Sequence, residues 1–189
     1  MTGKTHRIIG ITSGIGYLLW SQNPSYQPAT FASVLAISYL GSLLPDIDTS
    51  TGDIWHTLPF GHSLGKVASS FLEHRNITHS LLGFSLISWG INVLFHNMPY
   101  YWGLNPNILW LVFVMAYGSH LIADMLTEEG IPLLFPYGKM IGIPPKPFEG
   151  VRIVSGKWFE NLIVFPTVNL VLIVLIVAKW AEIKTMLIK

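Results

Sequence analysis

Apolar residues in this chain gather into five runs, Ile8–Trp20, Ala29–Leu44, Ser80–Phe95, Ile108–Leu126 and Asn161–Ala178. Crossing the hydrocarbon core of a bilayer takes roughly 20 helical residues, with about 17 as the lower end. The last two runs meet that length outright. The first three need flanking residues to reach across, and the first also reads as a partly inserted or re-entrant element. The expected fold class is all-α: a polytopic membrane helical bundle of about five helices, forming a single membrane-embedded domain over residues 1–189. Two long loops, 45–79 and 127–160, are rich in Gly and Pro. Within them Gly142–Gly150 (GIPPKPFEG) is too Pro-dense for a helix, whereas Ser63–Phe71 fits one short amphipathic surface helix.

Polar positions between the runs give the bundle a side. Ser21–Pro28 and His96–Asn107 contain no Lys, Arg, Asp or Glu, while the opposite ends carry Lys4, Arg7, Lys66, Arg75, Lys139, Lys146, Arg152 and Lys157. The positive-inside rule assigns the basic ends, and with them the N-terminus, to the cytoplasm. Five spans would then leave Lys179, Lys184 and Lys189 outside, against the same rule. The weight of the other loops favours the N-in arrangement.

Composition agrees with a membrane frame. The chain is 51% hydrophobic and 11% charged, against about 25% charged in soluble domains, and its mean hydropathy is +0.51. A net charge of +1 supplies no basic field for nucleic acid. With no cysteine there are no disulfides and no thiolate metal sites, so His, Asp and Glu are the strong ligands left. The first apolar run holds three glycines and lacks a small-x-small exit, so no cleavable signal is expected.

Seven ionisable residues, His6, Asp46, Asp48, His74, His79, His120 and Asp124, sit at run ends on the basic side. His120 and Asp124 are four apart, and on a helix they share a face with Ala116, Ala123 and Thr127, while Leu121, Ile122 and Met125 point elsewhere. A small, polar stripe of this kind belongs in a bundle interior, where an ionisable pair is a functional-site candidate; the bland alternative is a pair that fixes helix packing. In His74-Arg75-Asn76-Ile77-Thr78-His79-Ser80, two imidazoles flank an arginine able to clamp an anionic oxygen, with Thr78 or Asn76 placed to cap the next helix. An ordinary membrane-entry segment with a snorkelling Arg is the competing reading. Asp46 and Asp48, two apart, would point the same way in extended chain and reach one cation; a helix stop and polar turn explains them equally. His6 precedes Gly10 and Gly14 on the close-packing face of the first run, which directs it inward. Glu160 opens the last run, where a helix dipole favours an acid in any case.

Two motifs are decoys. Gly61-His62-Ser63-Leu64-Gly65 has the spacing of a serine-hydrolase nucleophile elbow but lacks the strand and βαβ series that motif requires. Gly10 to Gly16 has no preceding strand or downstream acid, so it is a packing face and not a dinucleotide loop.

Four His and three Asp exceed what one tetrahedral ion can use, since a catalytic zinc takes about three protein ligands and a water. A nitrogen and carboxylate donor set suits two divalent ions, zinc or manganese. Such a pair clamps a phosphoester and acidifies bridging water, with Arg75 neutralising charge and Asp48 joining it as a catalytic residue. The expected chemistry is metal-assisted hydrolysis at a membrane surface, with a lipid headgroup ester as the substrate in easiest reach.

The order His6, then LPDID (Leu44–Asp48), then HRNITHS (His74–Ser80), then SHLIADMLTEEGIPLLFP (Ser119–Pro136) resembles the YdjM-like family. The resemblance covers residues 6–136 well and the tail loosely. It implies a bacterial inner-membrane protein, a metal-dependent hydrolase activity, a LexA-type protein partner, and distant similarity to zinc-dependent phospholipase C and P1 nuclease. It also implies His6, Asp46, His79, His120 and Asp124 as ligands first, with Asp48 and His74 next. Asn76 stands where the family often has Gly, which touches loop geometry more than ligation; His56, His62 and Ser63 have no counterpart. Two other readings stay open beside the hydrolase. One is a non-catalytic scaffold in which metal ties helix ends and the loops bind a protein. The other is a transporter, for which segments 4 and 5 offer little midplane polarity beyond Tyr117, Thr167 and Asn169.

Overall fold

A computed structural model describes residues 1–21, 28–49, 52–57, 61, 63, 65, 77–98 and 104–188. The described residues are nearly all helical: α1 (Gly3–Trp20), α2 (Pro28–Leu43), α3 (Asp53–Thr57), α4 (Leu81–Asn97), α5 (Pro106–Met125), α6 (Phe165–Ala178) and α7 (Trp180–Leu187). The five expected runs are α1, α2, α4, α5 and α6. Among the described residues, three helices are long and apolar enough to cross a membrane: Pro28–Asp48, Pro106–Met125 and Glu160–Ala178, with Leu81–Asn97 a shorter apolar helix. The second run reaches spanning length because α2 continues through a 3₁₀ turn, Leu44–Asp48. The first run does not qualify, in keeping with its polar and small residues.

Helices α1, α2 and α5 form the packed centre, α4 lies against α5, and α6 lies against α1. Small residues permit the closest approach. A Cβ on Gly10 would stand 2.4 Å from Cβ of Ser42, and one on Gly14 would stand 1.9 Å from Oγ of Ser38. Glycine at these two positions therefore lets α1 and α2 touch backbone to backbone, as the spacing predicted. One apolar cluster, Leu18, Val34, Ile108 and Val112 with Met186 from α7, closes the end of the trio away from His6 and Asp124. A second, Phe113, Tyr117, Leu121 and Ile131, joins α5 to α4 through Phe84. Leu121 is thus core, while Ile122 is exposed.

Two local expectations change. Helix α4 is capped by Ser80, whose Oγ accepts from the Gly83 amide at 3.1 Å, and not by Thr78, while Asn76 lies outside the described residues. Residues 77–79 form a 3₁₀ turn, which places the cap at Ser80, two residues after Thr78. The loop after α5 has no long helix, as its prolines require, although a 3₁₀ turn forms at Phe148–Val151. Of the expected Ser63–Phe71 helix, only residues 63 and 65 are described.

Candidate metal centre

Four pieces of chain converge at one end of the α1–α2–α5 trio. Helix α1 brings His6 from its first turn, the 3₁₀ turn after α2 brings Asp46 and Asp48, the turn before α4 brings His79, and α5 brings His120 and Asp124 from its last turns. The small stripe on α5 behaves as its spacing predicted: Ala116, His120, Ala123, Asp124 and Thr127 are all buried. Gly10 sits against Ser42, and this contact brings His6, one turn earlier, over the end of α2.

His6 and His120 stack face to face, with ring centroids 3.6 Å apart and 14° between planes. His79 stands edge-on to His120 at 5.4 Å. Asp124 is the hub. Its Oδ1 lies 3.1 Å from His6 Nε2 and accepts from the Met1 amine at 2.5 Å. Its Oδ2 lies 3.6 Å from His79 Nε2 and 3.7 Å from His120 Nε2. Asp46 Oδ1 faces the same two nitrogens at 3.6 and 3.7 Å. Among the described residues, two overlapping groups have the spacing to hold a metal ion, His6–His120–Asp124 and Asp46–His79–His120.

Tautomers decide what these atoms offer. The Ser42 carbonyl can only accept, so the 2.6 Å contact with His120 Nδ1 fixes the proton there. In the neutral ring the Nε2 lone pair of His120 is then buried, without a hydrogen-bond partner, and facing two carboxylate oxygens. Lone pairs aimed at carboxylates repel, and a cation between them removes the conflict. Ligands about 2.0–2.1 Å from a tetrahedral zinc stand roughly 3.4 Å apart, close to the spacings here. A donor set of imidazole nitrogen and carboxylate oxygen fits zinc or manganese. The residues present fit a metal.

Asp48 has a different place. Two carboxylates in extended chain would share a side, but Pro45 lies in the first turn of the 3₁₀ segment Leu44–Asp48, and the turn rotates them apart. Asp46 faces Nε2 of His79 while Asp48 Oδ2 lies 3.4 Å from its Nδ1. Thr78 Oγ1 donates to the same Asp48 oxygen at 2.8 Å, and Tyr117 Oη donates to the Thr78 carbonyl at 2.7 Å. This is the carboxylate–histidine arrangement that orients a ligand from behind. Burial on its own pushes the His79 imidazole down, but attraction to Asp46 and Asp48 outweighs it and holds His79 up at about 9. Asp46, with 21% of its side chain exposed, is the site's opening to solvent.

His74 and Arg75 lie outside the described residues. Glu160 is fully buried but stands apart from both groups: its carboxylate accepts from Thr2 N at 2.8 Å, from the hydroxyls of Thr2 and Thr5 at 2.5 and 2.6 Å, and from Gly156 N at 2.7 Å. It anchors the first turn of α1, and so positions His6. Sequence reasoning missed the Ser42 carbonyl, since backbone acceptors leave no mark in a sequence, and it noted Tyr117 only as a midplane polar group.

The sequence as a whole matches the family described as YdjM inner membrane protein over residues 1–186. The chain belongs to the YdjM family. Among YdjM relatives, it is 35% identical over 164 residues to the uncharacterized protein YvsG of Bacillus subtilis, covering 86% of this chain and 87% of that one. It is 29% identical over 137 residues to the inner membrane protein YdjM of Escherichia coli, covering 72% of this chain and 66% of that one. The Shigella flexneri YdjM protein matches to the same extent. No solved structure matches the chain.

Proposed function

We propose that this YdjM-family membrane protein is a metal-dependent hydrolase that cleaves a phosphoester, of the lipid-headgroup class, at the cytoplasmic membrane face, with the N-terminus on that side. One observation carries the reading: two ligand groups meet at His120, whose Nε2 is buried facing carboxylates. In this reading His6, His120 and Asp124 would hold one divalent ion; because the one lone pair on His120 Nε2 serves a single ion, Asp46 and His79, with Asp124 Oδ2 facing the same His79 nitrogen, would hold a second, zinc or manganese. When bound, such a pair clamps a phosphoryl oxygen and lowers the pKa of attacking water. The protein's own groups do the rest. Ser42 fixes the tautomer of His120, and Asp48 with Thr78 fixes the ring of His79. The buried stack of His6 on His120 excludes water from the back of the site, leaving Asp46 as the side from which substrate enters. Arg75 keeps its assignment as the cation that neutralises phosphoryl charge. By their order in the chain, His74 and His79 bracket it.

A second reading has support of its own. With four of the five ligand side chains almost wholly buried, the metal would serve equally to tie helix ends in a scaffold whose loops bind a protein, a LexA-type repressor being the partner the family resemblance suggests. One experiment separates the two. The protein is purified in detergent, its bound metal measured, and phospholipids and generic phosphodiesters assayed, with His120→Ala and Asp124→Ala as controls. Stoichiometric metal with turnover that both substitutions abolish supports the hydrolase. Tight metal with no turnover on any ester supports the scaffold, and absence of metal in the wild type overturns both.

A further inference from the structure

The loop between α5 and α6 combines two properties that conflict in water. Its backbone is tied down. Ile131 and Ile141 exchange amide–carbonyl bonds at 2.9 and 2.8 Å, Ile143 N donates to Met125 O at 2.7 Å, and Ile153 N donates to Leu126 O at 3.0 Å. The Arg152 guanidinium donates to the carbonyls of Pro144, Glu128 and Gly142 from inside the loop. Yet this ordered segment turns large apolar side chains outward: Tyr137 is 84% exposed, Val151 79%, Trp158 67% and Phe148 65%. Isolated exposed apolar residues are ordinary, but this many large ones on one short ordered segment mark a binding surface.

Continuity says what covers it. The loop leaves the end of one candidate span at Met125 and enters the next at Glu160, so both its edges stand at a bilayer boundary. Trp and Tyr concentrate at that depth, and lysine stems reach along apolar surface to water. Lys139, Lys146 and Lys157 are interspersed with the exposed apolar residues in the required way. An apolar groove of about 420 Å³ runs between the first turn of α4 and this loop, lined by Leu81, Leu82, Leu133, Leu134 and Phe135 among others, and it begins two residues past His79.

We propose that residues 128–159 form a collar lying in the headgroup and upper acyl layer of the bilayer, so that the metal centre opens at lipid headgroup level. The bound partner is the lipid surface. This does not rest on hydrolysis, since it concerns where the loop lies and not what the site does. Residues 127–160 carry four basic and four acidic side chains. Burial of apolar surface, and not attraction to anionic lipid, therefore holds the collar in place.

The chain has no cysteine, so single spin labels report cleanly. Tyr137→Cys, Phe148→Cys and Val151→Cys are labelled in nanodiscs of phosphatidylcholine and of phosphatidylcholine with phosphatidylglycerol. Collision with oxygen is compared with collision with a water-soluble nickel chelate. Ile173→Cys in α6 serves as the deep reference, and His56→Cys in α3, exposed and outside both the candidate spans and the collar, as the aqueous one. The expected result is a shift of the oxygen-to-nickel ratio at all three sites from the His56 value toward the Ile173 value, equal in both lipid mixtures. Nickel access matching His56 overturns the proposal. So does shielding from both reagents with spin–spin broadening, which marks a second copy as the occupant, or insertion in the anionic mixture alone. If a labelled variant fails to incorporate, the loss of quenching by brominated lipid in Trp158→Phe relative to wild type reads the same surface. No loss there overturns the proposal as well.

Discussion

Helices α5 and α6 are both long and apolar enough to span a bilayer, yet they are used in opposite ways. Helix α6 is the more hydrophobic, and none of its side chains is buried in the protein. Helix α5 is less hydrophobic, and it buries ten residues, including His120 and Asp124. The more apolar helix lays Leu172 and Ile176 against α1 and α7 and leaves the rest of its surface uncovered, and its link to the site runs through Glu160 in the π-helical turn before it. The helix that interrupts its apolar surface with Ala, Gly, His and Asp packs against three others and carries His120 and Asp124. In a bilayer, hydropathy measures contact with lipid, whereas close packing and polar function come from small and ionisable residues.

The contrast can be broken at its strongest point first. Asp124→Ala removes the carboxylate that faces His6, His79 and His120. Loss of one partner from a buried charge network costs about 3–5 kcal/mol, so metal analysis and thermal unfolding in detergent should show no bound metal and a marked fall in Tm. Gly10→Val comes next. The added side chain meets Ser42 and the Ser38 carbonyl, and overpacking of this kind costs about 1–3 kcal/mol. As it also forces α1 from α2, metal affinity should fall together with stability, a coupling that titration of the apo-protein would expose. Asp48→Asn keeps the shape of the turn but weakens the support behind His79; loss of such a partner lowers metal affinity about 10–100-fold, with stability little changed. Leu170→Ala on the lipid face of α6 should stay within about 0.5 kcal/mol of wild type and leave metal content untouched. A large effect there would mean that α6 is not simply a lipid-facing span.

Much of the site was legible because helical spacing is a geometric statement. A spacing of four from His120 to Asp124 puts both on one face, and the alanines around them marked that face as inward. The same logic placed His6 through Gly10 and Gly14. Asp46 and Asp48 were legible as a pair but not as two roles. Their spacing predicts a shared direction in extended chain, and the 3₁₀ turn Leu44–Asp48 reverses it. Glu160 looked like a routine first-turn acid. Only the folded chain shows its carboxylate gathering Thr2, Thr5 and Gly156 from up to 158 residues away.

By itself the sequence determined the runs that form helices, the sparing use of charge that suits a bilayer, and the set of nitrogen and oxygen donors available for a metal. These are local properties, set by composition and by a period of 3.6 residues. The tertiary structure decided which nitrogen of His120 is free, which side of His79 each aspartate takes, and which helix faces lipid. Those depend on backbone carbonyls and on contacts between residues far apart in the chain, and neither leaves a periodic trace along it.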